Sequence, residues 1–354
     1  MKVREVQERI EREGLDAFLF SSQANVFYLS RFRSTHAYVV LTPTSRYLIT
    51  DSRYYERAKS ELKGWEVVLI KGRTVRFIKN FLKEIGARRV GYESDRVSCD
   101  LRRALRSTRI KWVGYSSFLR DIRVVKTGEE IERMKEGVSR SDRIFRELLE
   151  FVQPGMTELE VRRFIVDRIF REGASGESFP AIVASGEGSA IPHWETSGKR
   201  IKHGEPLLID MGLIWDGYCT DFTRTLFLGR PDPEFLKVYT VVRDAHLFAL
   251  EKVKAGNRIG DVDRTAREYI SGKRLGRFFT HSTGHGIGVE IHEYPRVYHR
   301  GEDADRVIEE GMVFTVEPGV YLPGKFGVRL ENIVVVKNGR GEPLSSIGLD
   351  LITL

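Results

Sequence analysis

Cysteine is nearly missing from this chain: Cys99 and Cys219 are the only two in 354 residues. Neither sits in a CxxC pair, so a disulfide framework is excluded and a thiolate metal site is disfavoured; Cys219 reads as a buried packing thiol. Long apolar runs are missing too. No stretch approaches the roughly 18–20 residues of a membrane-spanning helix, and no membrane partner is expected. The first residues, MKVREVQERIEREG, are charged and amphipathic, unlike a secretory signal, which points to the cytoplasm. Nor does one sign of charge dominate: 58 Lys and Arg stand against 50 Asp and Glu, a net +8. The densest basic run is Arg102, Arg103, Arg106, Arg109 and Lys111. A nucleic-acid surface wants such charge concentrated and interleaved with exposed aromatics. Acidic residues are spread almost as widely here, so the run reads as a solvated face and no nucleic-acid partner is expected.

Residues 1–121 contain no Gly-rich phosphate loop and no carboxylate–histidine cluster, and His36 is their only histidine. What they do show is alternation. A helix is predicted at Val3–Glu13, strands at Asp16–Phe20, Ala37–Thr42, Arg46–Thr50 and Glu66–Ile70, and helices near Arg53–Leu62 and Thr74–Ile85. This pattern describes an α/β domain, a sheet covered by helices. Arg120–Lys126 reads as the crossing into a second domain, residues 122–354. There, capping boxes at Thr127/Glu130 and Thr157/Glu160 open two helices, and Pro154-Gly155 stops the first. A short strand at Phe179–Ser185 and helices at Glu234–Lys254 and Val262–Ile270 follow. The fold class is α+β.

The chemistry begins at Leu207–Leu228, LLIDMGLIWDGYCTDFTRTLFL. Two apolar runs flank Asp216-Gly217, a strong two-residue hairpin signal. Folding back about that loop sets Trp215 opposite Tyr218, Gly212 opposite Asp221 and Asp210 opposite Thr223. Side chains alternate faces along a strand, so Asp210 and Asp221 share one face as diagonal neighbours. Gly212 is expected to leave empty volume between them. Two anions aimed into one gap repel and lose hydration, which calls for a cation. Taken alone, the stretch is equally compatible with a solvent-facing hairpin carrying two surface aspartates.

A second hairpin repeats the anomaly. MVFTVEPGV places Glu317 in an apolar strand and VRLENIVVV does the same with Glu331. A turn centred on Gly324 sets the two opposite each other. Each glutamate alone could be a salt-bridged strand residue with Arg329 as partner; four carboxylates interrupting four apolar strands are harder to explain so. His285, between glycines in TGHGIG, adds an imidazole where the backbone can approach closely. An oxygen-rich set with one nitrogen suits Mn²⁺, Co²⁺ or Fe²⁺ and leaves Zn²⁺ open. Four carboxylates carry −4, which two divalent cations neutralise and one does not. A dinuclear site with a water activated toward hydroxide is the expectation.

The motif set DMG…TDFTRT, STGHGIG, IHEYP, TVEPG and VRLEN resembles the Xaa-Pro dipeptidases (prolidases) and aminopeptidase P enzymes of the pita-bread fold. The resemblance runs over essentially the whole chain. It implies an N-terminal domain like that of the creatinases, serving dimerisation and active-site capping, then a pita-bread catalytic domain whose antiparallel sheet is flanked by helices. It implies that Asp210, Asp221, His285, Glu317 and Glu331 hold two metals, with Asp221 and Glu331 bridging. It makes Glu317 the general base, and His193 and His292 the substrate contacts that stabilise the tetrahedral intermediate. Arg296 matches an arginine that captures a substrate C-terminal carboxylate, and Arg329 follows an R-x-E pattern, positioning Glu331 or lining the pocket. The implied activity is cleavage of the bond preceding proline in a di- or oligopeptide by a homodimer, with Mn or Co the first metals to test. Aminopeptidase P action on longer peptides is the alternative, and a creatinase-like or metal-free module of the same fold is the non-peptidase one. Asn332 after Glu331 and Thr220 before Asp221 depart from the common residues without removing a ligand.

Overall fold

A computed structural model of the chain describes residues 2–106 and 109–354. The chain separates into two compact units, Met1–Ile122 and Arg123–Leu354. The first is built on a six-stranded mixed sheet with spatial order Glu66–Leu69, Arg46–Thr50, Ala37–Leu41, Ala17–Phe20, Arg89–Glu93, Lys111–Tyr115. Its helices are amphipathic for the usual reason. In Lys2–Arg12, Val3, Val6 and Ile10 recur at helical spacing, and all three are buried. Two strands and three helices fall outside the sequence expectation: Arg89–Glu93 and Lys111–Tyr115, and Gln23–Ser30, Cys99–Ala104 and Arg120–Val124.

The second unit opens with helix Gly128–Phe151, capped by reciprocal Thr127 and Glu130 bonds; Thr157 and Glu160 cap Glu158–Arg171 in the same way. These helices pack on a three-stranded antiparallel sheet of Ile182–Ser185, Pro206–Met211 and Phe222–Phe227. Helices Pro233–Lys252 and Ile259–Gly272 cover a five-stranded sheet that includes Gly284–Gly286, Glu293–Val297, Val313–Val316 and Asn332–Lys337. No helix among the described residues is long and apolar enough to cross a membrane.

Both hairpins take the expected register. Trp215 pairs with Tyr218 and Asp210 with Thr223. Asp216 and Gly217 both have positive φ, 42° and 85°, as a two-residue primed turn requires. In the second hairpin Val320 pairs with Val328 and Val316 with Asn332, so the register centre is Gly324. Each ladder is broken, however, where the acids sit. Thr220 Oγ1 takes the Leu213 N–H at 2.9 Å. Glu317 N–H leaves its own hairpin for Thr283 O at 2.7 Å, and Glu331 N–H reaches Thr223 O, across on the first hairpin, at 3.2 Å. The Glu331 bond docks the second hairpin on the first, and the Glu317 bond ties it to the segment leading to His285, so the acids are gathered together.

Gly212 does not open a void. A Cβ there would lie 2.1 Å from both Ser178 Oγ and the Thr220 carbonyl. The glycine is needed because neighbouring chain fills the space, and the room for a cation lies elsewhere.

Candidate metal centre

One cavity of about 480 Å³ collects every residue singled out from the sequence. Asp210, Asp221, His285, Glu317, Glu331, His193, His292, Arg296 and Arg329 all line it. Asp221, His285 and Glu331 each present a ligand atom within 4.8 Å of the other two. His285 Nε2 stands 3.4 Å from Asp221 Oδ2 and 3.4 Å from Glu317 Oε1. Its Nδ1 lies 3.0 Å from the Gly286 carbonyl, which fixes the proton there and leaves Nε2 as the ligand atom.

The electrostatics are those of acids short of a partner. Burial raises Asp210, Asp221 and Glu331 above the usual carboxylate range, and the mutual repulsion of the cluster adds to it; Glu331 is driven well above. Few groups pull the other way: Arg329 on Asp210, His285 on Asp221, and a 2.6 Å bond from Thr223 Oγ1 on Glu331. Burial also works against a charged His285, but Asp221 and Glu317 outweigh it and hold the imidazole up at about 9. Two buried oxygens, Asp210 Oδ1 and Glu331 Oε1, have no donor among the described residues. Buried polar atoms are rarely left so. Divalent cations would supply the missing partners, and four carboxylates with one imidazole are a suitable donor set.

Arg329 pairs with neither glutamate. Its Nη2 donates to Asp210 Oδ2 at 2.5 Å, its Nε to Thr223 Oγ1 at 3.2 Å, and its Nη1 to Tyr321 Oη at 3.0 Å. It therefore reaches Glu331 only through Thr223. Arg296 is exposed, stacks over Tyr298 with its Cζ 4.8 Å from the ring centroid, and has no carboxylate partner among the described residues. The His292 ring stands 4.3 Å from that of His285 in an edge-on contact. Burial and the charge on His285 lower the pKa of His292.

Three contributors escaped the sequence. Thr223 could have been found, since alternation puts it on the face of Asp221 and opposite Asp210. His281 and Tyr321 carried no such signal. His281 Nε2 lies 2.9 Å from Tyr321 Oη and its Nδ1 2.8 Å from Ser282 O. The Ser282 carbonyl puts the proton on Nδ1, so Tyr321 donates to Nε2. Phe179, Ile182, Pro192 and Ile291 supply an apolar wall. Cys219 packs among Met134, Val138 and Ile333, its thiol pushed up to about 12 by burial.

Comparison with known proteins identifies the family. Residues 132–338 match the model of metallopeptidase family M24 and residues 2–125 that of the creatinase/prolidase N-terminal domain. An Xaa-Pro dipeptidase of Pyrococcus horikoshii is 32% identical over 342 residues, 96% of this chain and 95% of that protein. Among solved structures, an Xaa-Pro dipeptidase from Bacillus anthracis superposes with a TM-score of 0.95 at 34% identity, covering 100% of this chain and 99% of the other. An X-Pro aminopeptidase from Thermotoga maritima gives 0.90 at 37% identity, covering 98% and 100%. The chain belongs to metallopeptidase family M24, with a creatinase/prolidase N-terminal domain ahead of the catalytic one.

Proposed function

We propose that the protein hydrolyses the peptide bond preceding proline at the N-terminus of short peptides, as an Xaa-Pro dipeptidase. The observation that carries the reading is the pair of donorless buried oxygens, Asp210 Oδ1 and Glu331 Oε1, in one cavity with Asp221, His285 and Glu317. In this reading those five residues would hold two divalent cations, Mn²⁺ or Co²⁺ before Fe²⁺ or Zn²⁺. Bound cations supply Lewis-acid polarisation and acidify water. Glu317, with Oε1 accepting from Thr315 Oγ1 at 3.3 Å, takes the proton of the attacking water as general base. His193 and His292 on the cavity wall donate to the oxyanion of the tetrahedral carbon; His292, with its lowered pKa, does so as a neutral imidazole. The imide bond to proline has no N–H, so apolar contact from Phe179, Ile182, Pro192 and Ile291 is what holds the substrate and keeps water out.

Arg296, with no carboxylate partner among the described residues, binds the C-terminal carboxylate of a dipeptide. The 37% identity to an X-Pro aminopeptidase keeps aminopeptidase P action as the second reading. Assaying Ala-Pro beside Ala-Pro-Ala with Mn-loaded protein separates the two. The dipeptidase reading expects Ala-Pro to be preferred, and Arg296→Ala to raise KM for Ala-Pro by about tenfold or more, the scale of one charge-assisted bond. Strong preference for the tripeptide overturns it. Elemental analysis should approach two metals per chain; a value near zero removes the metal reading altogether. A creatinase-like or metal-free role is disfavoured because all five ligand positions are filled. In the cell we infer a cytoplasmic homodimer, with the N-terminal domain, residues 1–121, serving dimerisation and capping. The one histidine of that domain, His36, has its Nδ1 3.0 Å from Asp51 Oδ2.

A further inference from the structure

The stretch Phe279–Thr283 leads irregularly into strand Gly284–Gly286, which carries His285. Two residues one turn apart on helix Ile259–Gly272 hold it. Arg267 donates to Phe279 O at 3.0 Å and to His281 O at 2.7 Å. Asp263, with no solvent exposure, accepts at Oδ1 from Thr283 N at 3.0 Å, Thr283 Oγ1 at 2.7 Å and Arg267 Nη2 at 2.9 Å. Its Oδ2 accepts from His299 N at 3.1 Å, His299 Nδ1 at 2.5 Å and Arg267 Nε at 3.2 Å.

These donors serve more than to neutralise a buried acid. Thr283 lies two residues before His285, and its carbonyl takes the Glu317 N–H at 2.7 Å. His299 lies two residues beyond strand Glu293–Val297, in which Arg296 pairs with His285. One carboxylate therefore grips both strands of the pair bearing His285 and, through Thr283, the backbone of Glu317. The strand cannot slide to compensate. A Cβ on Gly284 would meet Thr315 O at 1.9 Å, and one on Gly286 would meet Tyr294 O at 2.0 Å, so backbone is packed on backbone. Asp210 and Asp221 come from the other hairpin and make no bond to Asp263, Arg267, Thr283 or His299; Asp221 meets this unit only at its metal-facing end, 3.4 Å from His285 Nε2.

We propose that Asp263 is a positioning residue that sets the affinity of one metal position selectively: the one built from His285 and Glu317. The inference rests on the two-metal reading above. Outer residues that orient ligands are worth roughly 10–100-fold in metal affinity, and here that effect should fall on half the site.

The test is calorimetric titration of the metal-free, full-length protein with Mn²⁺, alongside the visible absorption of the Co²⁺-loaded form. Wild type should take two equivalents. Asp263→Asn, which turns one acceptor into a donor facing N–H groups, should keep one binding step and weaken the other by roughly 10–100-fold, with a changed Co²⁺ spectrum for that equivalent only. Thr283→Val removes a single donor at nearly constant volume and should move the same step less, which reads the effect even if the aspartate variant folds poorly. Asp142→Asn is the control. That acid is also buried but takes its donors from Ser345 and Ser346, so it should cost stability and leave both steps in place. Equal weakening of both steps in the Asp263 and Thr283 variants, or no change in either, overturns the inference. Fewer than two equivalents in wild type overturns the metal reading instead.

Discussion

Glu93 in the first unit and Glu331 in the second are each 2% exposed, and the chain treats them oppositely. Glu93 accepts from Ser21 N at 2.6 Å, Ser22 N at 2.8 Å, Asn25 Nδ2 at 2.5 Å and Ser21 Oγ at 3.3 Å. Glu331 has a single donor, Thr223 Oγ1. Its other oxygen has none among the described residues, and Asp210, Asp221 and Glu317 line the same cavity. Glu158, fully buried within the second unit, resembles Glu93: five donors from Ser185, Trp194 and Ser197 surround it. Burial of a carboxylate is thus not itself a sign of function. A carboxylate the fold has satisfied belongs to the scaffold; one the fold has buried and left short of donors is waiting for a ligand.

The sharpest way to break this contrast is to neutralise one acid of each kind. Glu331→Gln should lower turnover by roughly 10³-fold, the scale of losing an electrostatic stabiliser in a water-excluded site, and cut bound metal below two per chain. Its metal-free melting temperature should hold or rise, because a repelling charge is gone. Glu93→Gln should do the reverse: turnover stays near wild type while stability drops by about 1–3 kcal/mol, since an amide nitrogen must face donors. Paired kinetics and denaturant melts check this. Equal loss of metal-free stability in both variants would erase the distinction.

Acidity gives a second, smaller test. Asp221 and Glu331 have folded pKa values above their unfolded ones, so the metal-free fold holds protons that the unfolded chain releases, and its stability falls as pH rises. His285 has the same sign. Held at about 9 against about 6.5 when unfolded, its contribution is complete below the lower value and gone above the upper one. Metal needs the deprotonated ligands. The rise in melting temperature on adding Mn²⁺ should therefore be larger at about pH 8.5 than at about pH 6. A constant or reversed difference between the two melts would contradict the assigned shifts. Glu93 is also raised by burial but is not one of the ligands, so Glu93→Gln should leave the metal-induced rise unchanged.

The two hairpins were legible because turn chemistry fixes register. Asp216-Gly217 and Gly324 settle which residues face each other, and the observed pairs follow from those turns alone. What period-two reasoning cannot see is where a ladder is interrupted, since the diverted N–H groups of Glu317 and Glu331 bond to segments far away in sequence. The Arg329–Asp210 pair, 119 residues apart, was hidden for the same reason. Arg89–Glu93 was missed as a strand because Arg-Val-Gly-Tyr-Glu reads as polar and glycine-broken. Gly91 is there for the Phe18 ring, which a Cβ would meet at 2.4 Å, and Glu93 is there for Ser21, Ser22 and Asn25. Neither partner is adjacent in sequence. Gly212 misled in the opposite direction: a missing side chain suggested a hole where backbone already stands.

The smallest effect tests where satisfied acids end and waiting ones begin. Asp210 is intermediate, one oxygen held by Arg329 and the other donorless. Behind Arg329 stands Tyr321, whose hydroxyl accepts from Nη1 and donates to His281 Nε2. Tyr321→Phe removes that hydroxyl at nearly constant volume. Arg329 keeps Asp210, Thr223 and the Pro192 carbonyl, so Asp210 should stay in place and two metals should still bind. The cost should be about 1 kcal/mol of stability for the lost bonds and less than about tenfold in kcat, or roughly 1.4 kcal/mol of barrier. Metal counts and kcat in one preparation decide it. If the variant instead loses a metal or more than about a hundredfold in kcat, Asp210 is oriented by the tyrosine, and the scaffold reaches one residue further into the site than its hydrogen bonds alone suggest.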